Sequence, residues 1–207
     1  MENERIKIFD EHHQPIGVAS RSDVHRLGHW HETFHCWFIA REENSDFIYF
    51  QLRSTEKKDY PNLLDTTAAG HLLVNESVVD GIREVKEELG IELTVKDLFS
   101  LGIIKYSVER RGFIDRDIMN IFLYRNIHSF HEFKLQKEVV SGLFRANLDH
   151  FLDLWLEKID EIDIEGFEVN ALGKSIFQSK RVNREAFVPH GSSFYEQIIK
   201  RIKRTLV

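Results

Sequence analysis

The sequence predicts an α/β domain, and three observations carry that expectation. Aromatic and β-branched runs of strand length recur through its middle, at residues 35–41 (HCWFIAR) and 47–52 (FIYFQL), and again within 98–108 and 118–125. Segments with apolar residues at helical spacing are laid among and after them, at 77–89, 148–159 and 193–205. No linker-like stretch or composition shift divides the chain, so strands and helices are expected to share one domain over residues 1–207. A chain of 207 residues can hold one large domain or, less easily, two small ones.

In order, residues 6–9 read as a strand and 13–17 as a turn around Pro15. Residues 22–25 read as a short helical turn. Residues 42–45 suit a hairpin loop between the two aromatic strands, and 54–61 (STEKKDYP) form a charged loop. The central helix is expected to start near Ser77, whose pairing with Asp80 resembles a capping box, and to end at Gly90 as C-cap. Val78, Ile82, Val85 and Leu89 form its apolar stripe. Residues 148–159 and 193–205 are the remaining helices, and 162–171 form a strand or an irregular excursion. The aromatic stripe of 148–159 reads as core, and the basic run Lys200 to Arg204 as compensation of a helix dipole.

Composition narrows the function classes. Hydrophobic residues make up 42% of the chain, with 16 Phe, enough for a substantial core. A net charge of −6 gives no global support for coating a nucleic acid polymer. One cysteine, Cys36, excludes an intramolecular disulfide and fits a reducing compartment. The charged N-terminus lacks an apolar signal region, and no run approaches the ~18 apolar residues of a membrane span. A soluble, cytoplasmic protein without a membrane partner is expected. Oligomeric state is open, a homodimer included.

The segment Gly70–Ile91, GHLLVNESVVDGIREVKEELGI, carries the chemistry. Glu84, Glu87 and Glu88 stand three and four apart, so they share one helical face. Like charges crowded there call for a cation, and hard carboxylate oxygens suit Mg²⁺ or Mn²⁺. Here the sequence resembles the Nudix hydrolase superfamily, whose box is G-x5-E-x7-R-E-U-x-E-E-x-G-U, with U a bulky aliphatic. Gly70, Glu76, Arg83, Glu84, Val85, Glu87, Glu88, Gly90 and Ile91 fill every specified position in order. One departure bears on Glu76: six residues rather than seven separate it from Arg83.

The resemblance implies a Nudix-type α/β/α sandwich with a mixed central sheet and a C-terminal helical extension from about residue 148. It implies Mg²⁺ or Mn²⁺ on Glu84, Glu87 and Glu88 with the Ala69 carbonyl, braced by Arg83, and hydrolysis of a small-molecule diphosphate. A further acidic residue, matched here by Glu138, would take part as base or metal ligand, with Asp115 and Asp117 as competitors and Glu87 and Glu88 still candidates for the base. A second resemblance, over roughly residues 6 to 150, is to isopentenyl-diphosphate isomerases. It implies a metal on His25, His31 and His71 with Asp115 and Asp117, and a diphosphate held by Arg21, Arg53 and Lys57 or Lys58. The isomerases carry a cysteine where this chain has Ala69, and their carbon acid–base chemistry needs that thiol. The intact glutamates and the missing thiol both favour hydrolysis. An isomerase-like enzyme and a non-catalytic nucleotide-binding module are the alternatives.

Overall fold

In the computed structural model, which describes residues 4–110 and 112–206, the chain opens with an antiparallel hairpin of β1 (Arg5–Phe9) and β2 (Pro15–Ser20). Residues 13–17, expected as a turn, thus run into a strand from Pro15. Helix α1 (Arg21–Leu27) follows, capped by the Ser20 side chain and closed by Gly28 at φ 69°. It is longer than the expected turn and includes His25.

The long strand β3 (Trp30–Glu42) organises the sheet. Its alternation sends Phe34, Cys36 and Phe38 into one core and Trp37 and Ile39 into another. On one side β3 runs parallel to β8 over Trp30 to Ile39. On the other it pairs antiparallel with β6 over Thr33 to Cys36 and with β4 over Ile39 to Glu42. Here β4 is Ser45–Arg53, β5 is Leu64–Thr66 and β6 is Ala68–His71; helix α2 is Arg83–Leu89, β7 is Leu98–Arg110 and β8 is Phe113–Arg125. The remainder comprises β9 (Val140–Asn147), α3 (Leu148–Trp155), β10 (Ile162–Val169), β11 (Ser175–Val182) and α4 (Ser192–Leu206). The main path through this 11-stranded mixed sheet is β11-β10-β9-β4-β3-β1-β2.

Helices cover both faces. Val85 and Leu89 of α2 join the core of Phe34, Cys36 and Phe38. The opposite face is sealed by α3 and α4 through Phe151, Trp155, Tyr195 and Ile198. Trp155 and Tyr195 stack with centroids 4.2 Å apart. The α/β/α sandwich is therefore present, and the 148–159 stripe is core as expected. That helix ends at Trp155 rather than 159, because Glu157 sits at φ 58°, outside the helical region. Residues 162–169 form a strand, settling the alternative left by the sequence. The basic end of α4 is engaged within the chain: Arg201 donates to the carbonyls of Leu101 (2.8 Å) and Ile103 (3.1 Å). Among the described residues no helix is long and apolar enough to cross a membrane.

Phe151 contacts the rings of Phe50, Trp155, Phe187 and Tyr195 and has no exposed surface. Phe151→Ala is expected to destabilise the protein by about 3–5 kcal/mol. Urea unfolding of the two proteins checks this; a loss below 1 kcal/mol, on the order of a single exposed substitution, would contradict the packing.

Candidate active site

The carboxylate segment is wound in two ways. Val78–Ile82 form a 3-10 turn, opened by the Ser77–Asp80 capping box, and α2 takes over at Arg83. A 3-10 turn rises about 2.0 Å per residue against about 1.5 Å for an α-helix. This tighter but more elongated winding spans the interval between Glu76 and Arg83 with fewer residues. Glu76 accordingly meets Arg83: its Oε1 pairs with Arg83 Nε, and its Oε2 accepts from Nη2 at 3.0 Å. Gly90 closes α2 at φ 72°, its N–H on the Lys86 carbonyl.

Arg83 is the hub of the segment. Beyond Glu76 it donates to Glu84 (2.6 Å), Glu87 (3.1 Å) and the His71 carbonyl (3.1 Å). These partners, Glu76 foremost, push its pKa still higher, so it is a fixed positive charge. Glu87 is half exposed, whereas Glu88 is only 3% exposed. Glu88 Oε2 accepts from Gln51 Nε2 (3.2 Å) and from the Ala69 N–H (3.1 Å). In a strand a residue's N–H and C=O leave on the same edge, so the Ala69 carbonyl is directed to this side too. A Cβ built on Gly70 would overlap the Glu84 carboxylate, so only glycine admits that approach. Burial pushes Glu84 up, and burial together with Glu84 pushes Glu88 up to about 8.

A second group gathers where α1, β3, β6 and β8 meet. One ligand nitrogen each from His25, His31 and His71 lies within 4.8 Å of the others. Asp115 Oδ1 is 3.7 Å from His25 Nε2 and 3.6 Å from His31 Nε2. His31 Nε2 and Asp115 Oδ1 are buried without a hydrogen-bond partner. Burial lowers the pKa of all three histidines, and burial beside Asp117 raises Asp115 to about 6. Asp117 is differently engaged. It accepts from Thr33 Oγ1 at 2.6 Å and faces His35 Nε2 at 3.6 Å, so it sits one step from the three histidines. Burial alone would raise its pKa, but His35 holds it down.

The expected diphosphate cations divide. Lys57 is half-buried, and its charge is felt by Glu88 and by Asp65; burial lowers its pKa. Arg21 opens α1 beside Glu4 (3.3 Å), and its charge reaches Lys57 and all three histidines. Lys58 is exposed on the same loop as Lys57. Arg53 is committed internally: Nε and Nη2 donate to the carbonyls of Asp59 and Tyr60, and Nη1 to Asp65 at 2.8 Å. It holds the loop rather than presenting a free fork. Glu138 is exposed on the loop entering β9, next to Val139, whose carbonyl takes the Ser54 N–H at 2.9 Å. Sequence reasoning missed Asp65, Gln51, Tyr60, Tyr106 and His190. Only the charge of Asp65 and the polarity of Gln51 in an apolar strand could have flagged any of them.

No protein-family model matches the chain. It is 40% identical over 202 residues to an uncharacterized Nudix hydrolase of Clostridium acetobutylicum, a match covering 98% of both chains. It is 30% identical over 197 residues to Nudix hydrolase 3 of Arabidopsis thaliana, covering 90% of this chain and 25% of that protein. An isopentenyl-diphosphate Delta-isomerase of Kocuria rhizophila is 32% identical over 92 residues, 44% of this chain and 49% of the isomerase. A crystal structure from Deinococcus radiodurans shares the fold, with a TM-score of 0.56 at 18% identity over 72% of this chain and 86% of that one.

The Glu88 shift sets a pH dependence for the cation-free protein. Its carboxyl holds its proton to about pH 8 when folded, against an ordinary value of 4.5. Below 4.5 it is protonated in both states and costs nothing; as pH rises through 8 the folded state takes the whole burial penalty. The three histidines act oppositely, withdrawing stability as pH falls below their ordinary 6.5. Glu88→Gln is expected to raise the melting temperature at pH 8 by at least about 3 °C and to change it little at pH 4.5. Calorimetry in a chelator checks this, and equal gains at both pH values would refute the assignment.

Proposed function

This chain belongs to the Nudix hydrolase superfamily, and from that premise we propose that it hydrolyses the diphosphate linkage of a nucleoside diphosphate derivative or a related small diphosphate, with Mg²⁺ or Mn²⁺ on Glu84, Glu87 and Glu88. The observation that carries the reading is the carboxylate pair of Glu84 and Glu88. Both are pushed toward protonation by burial, and Glu88 by Glu84 as well. A buried carboxylate pair whose charge is unfavourable without a cation fits a divalent ion, which would favour the ionised form of both. Glu87, more exposed, and the Ala69 carbonyl would complete an all-oxygen set, the kind that suits Mg²⁺.

His25, His31, His71 and Asp115 fit a second cation of more borderline character. Lowered pKa values keep the imidazoles neutral, and the partnerless His31 Nε2 and Asp115 Oδ1 are lone pairs awaiting a ligand. Bound cations would neutralise a diphosphate and acidify water at neutral pH. The chain's own groups do the rest. Lys57 and Arg21 attract and orient the diphosphate, Arg83 keeps Glu84 and Glu87 aimed, and Arg53 fixes the loop bearing Lys57. Glu87 or Glu138, the two exposed carboxylates of the set, accepts the proton of the attacking water, with Glu88 held in reserve by its burial.

The isomerase reading fails at one atom. Ala69 has no thiol, and Cys36 lies fully buried in the α2-side core, where burial pushes its pKa up. It cannot exchange protons with substrate carbon. The retained glutamates favour turnover over a module that only binds.

A panel of nucleoside diphosphate derivatives and small diphosphates, assayed for released phosphate or nucleotide with Mg²⁺ and Mn²⁺, tests the reading. Glu87→Gln and Glu88→Gln are each expected to lower turnover by about 10²- to 10⁴-fold. Activity equal to that of the unaltered protein in both variants would remove those glutamates from the mechanism. Isopentenyl diphosphate is expected to yield no dimethylallyl isomer; its appearance would reinstate the isomerase.

A further inference from the structure

The loop over residues 54–62 carries Lys57 and Tyr60 to the site without regular secondary structure of its own. Tyr60 and Asn62 sit at φ 49° and 62°, a region that Asn tolerates but a bulky side chain such as that of Tyr60 enters rarely and under restraint. The restraint is Arg53, which holds the carbonyls of Asp59 (2.7 Å from Nη2) and Tyr60 (3.2 Å from Nε). Arg53 is in turn held by Asp65 Oδ2 at 2.8 Å. The other oxygen, Asp65 Oδ1, accepts from the Thr66 N–H at 2.8 Å and faces His190 Nε2 at 3.4 Å. For Asp65, burial alone would raise the pKa; His190 and Arg53 outweigh it and keep the carboxylate ionised.

His190 comes from the C-terminal segment, 125 residues away in sequence. That segment is stitched to β5 by a parallel bridge between Leu64 and Phe187 and by the Val188 N–H on the Leu64 carbonyl at 2.9 Å. The Val188 carbonyl is anchored by Tyr195 Oη at 2.7 Å. The imidazole is wedged between the rings of Tyr106 (5.0 Å) and Phe194 (4.6 Å). Its Nδ1 is buried without a partner. The tautomer with hydrogen on Nε2 satisfies Asp65 and leaves Nδ1 a lone pair rather than an orphaned donor.

We propose that His190 is a positioning residue of the diphosphate pocket, acting through Asp65 and Arg53 to set the loop that bears Lys57. The C-terminal segment is then part of the site. Its kinetic consequence rests on the diphosphatase reading above; its structural consequence does not.

The test compares the full-length protein with His190→Ala, His190→Asn, His190→Gln and Ile202→Ala. Gln carries an N–H where Nε2 stood, while Asn, shorter, reaches only where Nδ1 stood. Ile202 is a fully buried core residue of α4 that makes none of these polar contacts, and its truncation reports generic destabilisation. Trypsin cleavage after Lys57 and Lys58, well below every melting temperature, is expected to speed up about tenfold in the Ala and Asn variants and to stay near the unaltered rate in Gln and Ile202→Ala. Calorimetric affinity for inorganic diphosphate with Mg²⁺ should weaken about tenfold in the same two variants, of the size found when outer partners of a binding group are lost. With a turned-over substrate, KM should rise and kcat stay within about twofold. If His190→Ala fails to fold, His190→Asn against His190→Gln decides. Cleavage and affinity unchanged in Ala and Asn, or equally impaired in Gln, would overturn the proposal. Absence of turnover in the unaltered protein would sink the hydrolase reading alone, and the proteolysis would still judge His190.

Discussion

The site depends on how closely the Glu84 carboxylate approaches strand β6. That approach exists because Gly70 has no side chain, and it is maintained from two directions. Val85 and Leu89 bury the opposite side of α2 in the core, so the helix cannot roll away. Arg83 spans Glu76, Glu84, Glu87 and the His71 carbonyl, so the carboxylates cannot turn outward without breaking a shared ion-pair network. The result is a folded state that pays, in the cation-free protein, for carboxylates it cannot solvate. A divalent ion held there, as proposed, would recover that energy, and its affinity would depend on packing as well as on the glutamates.

Strand β6 also separates the two donor groups. Successive residues of a strand point to opposite faces. Gly70 therefore faces α2 and Glu84, while His71 turns to the other face, where His25, His31 and Asp115 meet it. Three consecutive residues, Ala69, Gly70 and His71, thus serve both groups. The first offers backbone, the second space and the third an imidazole. Position 69 shares its face with His71, so a thiol there would stand on the histidine side of the strand. The difference between carbon protonation and phosphorus chemistry can consequently be local to one side chain on a shared frame.

What the sequence made legible follows this division. The box segment is local: the Ser77–Asp80 cap, the Gly90 terminus and the i, i+3, i+4 carboxylates are all within one short window, and each stands as read. The spacing departure before Arg83 could be noticed but not interpreted, because only the backbone shows that a 3-10 turn takes up the difference. The histidines are non-local. Their ligand nitrogens converge from a helix, a long strand and a four-residue strand, and no period in the sequence aligns positions 25, 31 and 71. The family resemblance supplied that set; spacing could not. Short strands such as β5 and β6 have too few residues to show alternation, and β2 was hidden by its starting proline. The internal commitments of Arg53 were hidden for the same reason. A cation in a charged loop looks available until Asp65, the Asp59 and Tyr60 carbonyls, and the fold between them are in place.

The polar groups around Asp65 and Asp115 come from elements the box does not contain. Lys57 and Tyr60 arrive on an irregular loop, Tyr106 on β7 and His190 on the segment before α4. Tyr60 and Tyr106 both sense the charge of Asp115, so their phenols share its surroundings. On the proposed reading, a box built from carboxylates and one arginine would recognise a diphosphate and say nothing of what the diphosphate carries. Selectivity would then reside in these groups, whose conformation is not self-supporting: Tyr60 is strained, and its restraint runs through a buried carboxylate to His190 in the C-terminal segment. If His190 positions this loop as proposed, changes in the C-terminal segment would retune the substrate end of the site while helix α2 stays as it is.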